Sequence, residues 1–271
     1  MTILQAILLG IVQGLTEFLP VSSSGHLVIV PHLFGWQIPD QEAFVFDVLV
    51  QLGTLLAVIV YFWDDLVAIA RAWLGGLSRG EPFVELRARM GWYLILATLP
   101  AAIAGLLLKN QIEQAFTSII ITAWFLVGTA LLLIVGEWVG KRQHHFEELT
   151  WLDALIIGLF QALALFPGVS RSGATITGGM ARNLERPAAA RFSFLMAIPV
   201  MLGASIVALP DMFAILDLDA FLPSLAAGFV SAALVGYFAI RWLLRFLSHN
   251  PLYYFSGYLL IISITILVVY S

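Results

Sequence analysis

Apolar residues run along this chain in stretches of about twenty, the length a helix needs to cross bilayer hydrocarbon. Six stretches qualify: 44–63, 90–108, 118–136, 190–209, 221–241 and 252–270. Two further apolar regions, 1–35 and 151–183, are interrupted midway by proline, glycine and serine. Each half is roughly 15 residues, too short to cross at about 1.5 Å per residue. The pattern predicts two re-entrant hairpins: a helix in, an irregular turn near mid-membrane, and a helix out. Such backbone is tolerated only where protein buries it or water reaches it. The expected fold is an all-α polytopic membrane protein, with six spanning helices, two re-entrant helical hairpins and about ten helices in all, forming one integral membrane domain.

The loops orient these spans. Loop 64–89 carries Arg71, Arg79, Arg87 and Arg89; loop 137–150 carries Lys141 and Arg142. Loop 184–189 carries Arg186 between Arg182 and Arg191, and loop 242–251 carries Arg245 beside Arg241. Loop 109–117 has only Lys109, and loop 210–220 has three aspartates with no lysine or arginine. Basic loops face the cytoplasm. With the second hairpin entering and leaving on that side, every assignment is met; both termini lie outside, and the first hairpin dips in from outside.

The two broken regions are related. Moving "GLFQALALFPGVSRSGAT" (158–175) back by 148 residues superposes Gly158, Gln161, Leu163, Phe166, Val169, Ser170, Ser172 and Gly173 on identical residues of "GIVQGLTEFLPVSSSGH" (10–26). Apolar bias inflates such matches, but it does not supply the serines. Repeat one is 1–143 and repeat two 151–271, each a hairpin plus three spans. An odd number of crossings turns the second copy upside down, the inverted-topology arrangement in which two hairpin tips share a polar site near the midplane.

Composition narrows the class. Of 271 residues, 61% are hydrophobic and only 11% charged, against about 25% charged in soluble domains. A net charge of −4 and the lack of a basic tail argue against nucleic acid, and without cysteine neither disulfides nor thiolate metal sites arise. "MTILQAILLG" lacks the positive region of a signal peptide, so insertion is expected to rely on the spans.

Within the first hairpin, Gln13 and Glu17 are four apart and share a helix face. Gly10 and Gly14 form a small-xxx-small pair that admits a close helix. A carboxylate at this depth requires a partner or an aqueous pocket. Pro20 ends the first half-helix, and Ser22, Ser23 and Ser24 begin the second, with hydroxyls suited to capping and to holding phosphate at a helix start. His26, one turn on, is a candidate general acid/base or nucleophile, or else a hydrogen-bonded structural residue. In the second hairpin, Arg171 sits between Ser170 and Ser172, with Thr175 one turn on. A guanidinium fork suits phosphate, and an ion pair with Glu17 is compatible with that use in the empty protein. Asp47 and Gln51 are placed to face the first hairpin. His144 and His145 are expected to be solvated, Asp64 and Asp65 to lie at the interface, Pro100 and Pro199 to kink their spans, and Trp63, Trp92, Trp138 and Trp151 to sit in interfacial belts. One carboxylate, one arginine, two hydroxyl-rich helix starts and a histidine fit a diphosphate headgroup. A carboxylate near phosphates implies a divalent cation between them.

"GLTEFLPVSSSGH" and "PGVSRSGAT" closely resemble the two signature motifs of the bacterial undecaprenyl-diphosphate phosphatases, also called bacitracin-resistance proteins, and the resemblance extends over the whole chain. It implies hydrolysis of undecaprenyl diphosphate to undecaprenyl phosphate, the lipid carrier of peptidoglycan synthesis, in the bacterial inner membrane. It also implies a divalent cation, Mg2+ or Ca2+, and a site open to the outer face. By motif, Glu17 resembles the essential acid, Ser23 and His26 the catalytic hydroxyl and imidazole, and Arg171 the phosphate-binding arginine; Ser170 and Thr175 match further positions. Many members carry glutamate where this chain has Gln13, which offers a carbonyl oxygen to a metal but no charge. Three nucleophiles stay open: Ser23 activated by His26, His26 itself, and an activated water. A transporter or flippase of a lipid phosphate or small anion is the rival class, because inverted repeats with broken helices also build transporters. A homodimer is compatible with the sequence.

Overall fold

The computed structural model describes residues 1–116, 118–213 and 218–270; the side chains of residues 40, 109, 113, 116 and 207–213 fall outside that description. Among the described residues there are twelve α-helices: α1 (Ile3–Thr16), α2 (Ser23–Leu33), α3 (Asp40–Tyr61), α4 (Trp63–Arg79), α5 (Leu86–Leu107), α6 (Lys109–Phe116), α7 (Ile119–Val139), α8 (Trp151–Leu163), α9 (Arg171–Ala181), α10 (Arg186–Phe213), α11 (Leu218–Leu247) and α12 (Tyr253–Tyr270). Six of them, α3, α5, α7, α10, α11 and α12, are long and apolar enough to cross a membrane. α1 and α8 are apolar but shorter, as the broken regions predict.

The spans run past their apolar windows. α11 covers Leu218–Leu247 rather than 221–241, and α10 begins at Arg186 rather than near residue 190. An apolar scan stops at the first charge, whereas a helix continues through arginines that are exposed, as Arg241 and Arg245 of α11 are, or paired with a carboxylate, as Arg186 and Arg191 of α10 are. Two helices were not expected, α4 inside loop 64–89 and α6 inside loop 109–117, which raises the count from about ten to twelve among the described residues. α4 is amphipathic: Ile69, Ala72 and Gly76 are buried while Arg71, Leu74 and Leu77 are exposed. It lies against α5, where the Trp73 and Trp92 rings meet edge-on at 5.4 Å. The aspartate-bearing loop expected at 210–220 includes residues 214–217, which lie outside the described residues.

Each hairpin leads with a helix packed on the middle span of the other half of the chain: α1 on α11, and α8 on α5. A Cβ added at Gly10 would lie 2.9 Å from Ser231 Cβ, and one at Gly14 2.8 Å from Val235 Cβ, so the small-xxx-small pair has α11 as its neighbour. Gly158 repeats the device on α8, where a Cβ would lie 2.9 Å from the Ala97 Cα of α5. These contacts bring both hairpins into the centre of the bundle.

The arginines of the basic loops also build structure. Glu137, at the end of α7, accepts from Arg186 Nε at 2.7 Å and Nη2 at 2.6 Å, and from Arg142 Nη2 and the Leu252 amide at 2.8 Å each. It thereby ties α7, α10 and the entry to α12. Asp153 takes Arg182, and Asp65 takes Arg191, each at 2.6 Å. His145 is exposed and faces Glu185 at 3.1 Å. His144, expected to be solvated, is half-buried because its backbone is bonded to Asn183 and Glu185.

Candidate active site

The two hairpin tips form one site. Each second arm starts at a serine N-cap. Ser22 Oγ accepts from the Gly25 amide at 3.3 Å, and Ser170 Oγ from the Gly173 amide at 3.1 Å. The same 148-residue shift pairs these caps, and it pairs Ser23 with Arg171, so the two copies place a hydroxyl and a guanidinium at equivalent first helical positions. The tips differ in backbone. Gly168 supplies the left-handed residue of the second, at φ +94. Its equivalent, Pro20, is fixed at negative φ, and in the first tip Ser22 takes φ 68 instead. A non-glycine residue there carries of order 1–3 kcal/mol of strain, and such strain is characteristic of functional sites.

Glu17 is the centre. It closes α1 as its C-cap and is 6% exposed. Its Oε1 accepts from Arg171 Nη2 at 2.6 Å, and its Oε2 from Ser23 Oγ at 2.6 Å and Gln13 Nε2 at 2.8 Å. Gln13 Nε2 also lies 3.4 Å from Thr54 Oγ1 on α3. A carboxylate only accepts, so the amide must turn its nitrogen to Glu17. Gln13 Oε1 is then left buried without a partner, as is Arg171 Nη1. Ser172 Oγ donates to the Leu19 carbonyl at 3.0 Å and ties the tips together.

A cavity of about 210 Å3 opens beside this pair, walled by Glu17, the three serines 22–24, Ser170 and Arg171 from the tips. Gln51 of α3, Ala101 of α5, Gln161 of α8 and Met201 of α10 are also among its walls. Gln51 therefore faces the site as expected; Asp47 is half-buried and is not among its walls. Gln161 was visible only as the repeat of Gln13. It is 2% exposed, and its Oε1 has no partner.

Three residues expected at the site point elsewhere. Thr175 is fully buried, donating to the Arg171 carbonyl at 2.7 Å and lying 2.6 Å from Ser193 Oγ of α10. Ser172 is turned onto Leu19. At about 100° per residue Ser172 is turned off the helix face that carries Arg171 into the cavity; Thr175, four residues on, lies near that face, but its hydroxyl is taken up by the Arg171 carbonyl and Ser193. His26 is also absent from the cavity walls and does not bond Ser23. Its Nδ1 is 2.7 Å from the Ser22 carbonyl and its Nε2 is 2.6 Å from the Tyr258 hydroxyl of α12. Nothing in the sequence singled out Tyr258, an apolar-helix tyrosine 232 residues away.

A metal can be weighed against these donors. Among the described residues no group of three or more His, Cys, Asp or Glu side chains is placed to hold one. The oxygen donors on offer to a hard cation such as Mg2+ or Ca2+ are Glu17, on the cavity wall, and Gln13, which is not among the walls but whose buried Oε1 has no partner.

The family model described as bacitracin resistance protein BacA matches residues 6–265. A protein named undecaprenyl-diphosphatase from Mycobacterium sp. (strain KMS) is 44% identical over 273 residues, covering 100% of this chain and 98% of the relative. One of the same name from Chlorobium phaeovibrioides is 43% identical over 100% of this chain and 98% of its own. Another from Corynebacterium striatum is 47% identical over 95% and 91%. With a matching family model over nearly its full length and full-length relatives above 40% identity, the chain belongs to the bacitracin resistance protein BacA family.

Proposed function

We propose that this protein is a membrane hydrolase that converts undecaprenyl diphosphate to undecaprenyl phosphate and inorganic phosphate. The observation that carries the chemistry is the Ser23–Glu17–Arg171 chain at the joined tips: a hydroxyl donating to a carboxylate that also holds a guanidinium. Family membership favours this reading over the transporter.

Arg171 recognises the diphosphate. Its Nη1 has no protein partner, and phosphate oxygens satisfy it bidentately. Ser23 Oγ then attacks the terminal phosphorus and gives its proton to Glu17. The phosphoanhydride bond breaks, and undecaprenyl phosphate leaves. Water hydrolyses the phosphoserine and releases phosphate. The amides that open α2 and α9 and the Arg171 charge stabilise the phosphoryl oxygens, which is most of phosphoryl-transfer catalysis. Glu17 and Gln13 would be the residues to hold a divalent cation, which when bound would add charge neutralisation at the phosphates. His26 acts outside this chain, because both ring nitrogens are engaged.

The site faces the outer side of the membrane in this reading. Ala101 and Met201 lie beyond the midpoints of α5 and α10, away from the ends that carry Arg87, Arg89, Arg186 and Arg191. The swapped packing of α1 on α11 and α8 on α5 supports two inverted copies. Phosphate release from undecaprenyl diphosphate by purified protein in detergent tests the function. Wild type releases it, Glu17→Gln and Arg171→Ala do not, and no release by wild type contradicts the reading.

A further inference from the structure

The two tips are pinned by the last span of the opposite half of the chain. In tip two, Thr129 of α7 donates to the Gly168 carbonyl at 3.0 Å and accepts from the Ser170 amide at 3.1 Å. In tip one the corresponding span is α12, and it reaches the turn through an imidazole. Tyr258 Oη lies 2.6 Å from His26 Nε2, and His26 Nδ1 lies 2.7 Å from the Ser22 carbonyl. The rings are nearly parallel, at 9°, with centroids 5.7 Å apart.

The hydrogen-bond roles follow from the end of this chain. A carbonyl oxygen only accepts, so Nδ1 carries a proton. In the neutral ring, Nε2 is then the lone-pair nitrogen, and the Tyr258 hydroxyl donates to it. The carbonyl so held belongs to Ser22, the residue at φ 68. The next residue is Ser23, whose hydroxyl sits on Glu17.

We propose that Tyr258 is a positioning residue for catalysis: its hydroxyl holds His26 in the Nδ1–H tautomer, and that imidazole fixes the strained Ser22 carbonyl so that Ser23 is presented to Glu17. His26 is thus the strut of the serine rather than its base. The inference rests on the hydrolase reading above and adds to it a residue on a distant span. A partner on one ring nitrogen sets the tautomer and orientation of a histidine, and around metal-bound histidines the loss of such a partner costs about 10–100-fold.

The test is 15N NMR of the full-length protein labelled at histidine, with the His26 resonances identified by their loss in His26→Asn, alongside steady-state phosphate release. In wild type, His26 shows a protonated Nδ1 and a hydrogen-bonded, unprotonated Nε2. Tyr258→Phe keeps the ring and the fold; it moves the Nε2 resonance toward that of a free nitrogen and lowers kcat about tenfold with KM unchanged. A wild-type spectrum showing the Nε2–H tautomer overturns the inference, even if Tyr258→Phe does not fold. So does Tyr258→Phe with wild-type kcat. A wild type that shows the Nδ1–H tautomer but releases no phosphate overturns the hydrolase reading, and the positioning role with it.

Discussion

Arg171 and Glu17 are 154 residues apart in the chain, yet their guanidinium and carboxylate meet at 2.6 Å with both side chains largely buried. Removing one partner strands the other. Arg171→Ala should therefore lower stability by about 3 kcal/mol as well as abolish turnover. Glu17→Gln in the same chain should recover most of the stability and none of the activity. Equilibrium unfolding of the two single variants and the double variant in mixed micelles measures the coupling.

Gln13 contributes a donor where a glutamate would contribute a second charge. Gln13→Glu loses the 2.8 Å bond to Glu17 and sets two carboxylates side by side. Without divalent cation, its thermal midpoint should fall below that of wild type. With Mg2+, its apparent metal affinity, read from both the midpoint shift and phosphate release, should rise about tenfold, the ratio worth about 1.4 kcal/mol. Identical metal dependence in the two proteins would contradict the assignment of position 13 to the cation.

Ser22 and Ser170 are equivalent caps with different backbones, φ 68 against φ −71. Glycine at a cap costs only a few tenths of a kcal/mol, and at positive φ it also removes strain. Ser22→Gly should therefore keep or raise the melting temperature while reducing turnover, because the tip loosens. Ser170→Gly has no strain to relieve and should lower the melting temperature. Parallel thermal melts with phosphate assays separate the two.

The hairpins depend on glycine contacts. A side chain at Gly10 meets α11, and one at Gly158 meets α5. Gly10→Val and Gly158→Val should each destabilise by about 1–3 kcal/mol or more and reduce turnover, since both displace a tip from the site. Gly257, whose added Cβ would meet nothing within 4 Å, is the control, and Gly257→Ala should behave as wild type.

Much of the site was legible because its residues break a strong pattern. Glu17, the serines and Arg171 are polar in an apolar background, and the 148-residue repeat joins two motifs that no local reading connects. Side-chain direction was not legible. Thr175 and Ser172 look like site residues in the motif; the rotation of α9 turns Ser172 onto Leu19, and Thr175, near the Arg171 face, is held by the packing of α10, which sets Ser193 against its hydroxyl. Tyr258 was hidden for the opposite reason: a tyrosine in an apolar span reads as membrane surface until a buried imidazole is found at its hydroxyl. The arginines fixed the expected orientation, but a loop charge does not announce a carboxylate such as Glu137, buried at a helix end and accepting from Arg142 and Arg186. α4 was missed because its stripe is amphipathic and lacks a continuous apolar run.

The central claim is that Ser23, held by Glu17 beside Arg171, takes the phosphoryl group. The most direct measurement is to quench the purified protein during turnover of undecaprenyl diphosphate labelled at its terminal phosphate and to locate the label by peptide mass spectrometry. The account predicts phosphoserine at Ser23, absent in Ser23→Ala, with phosphate release by that variant reduced at least a hundredfold. Label on His26, or near-normal release by Ser23→Ala, would contradict it.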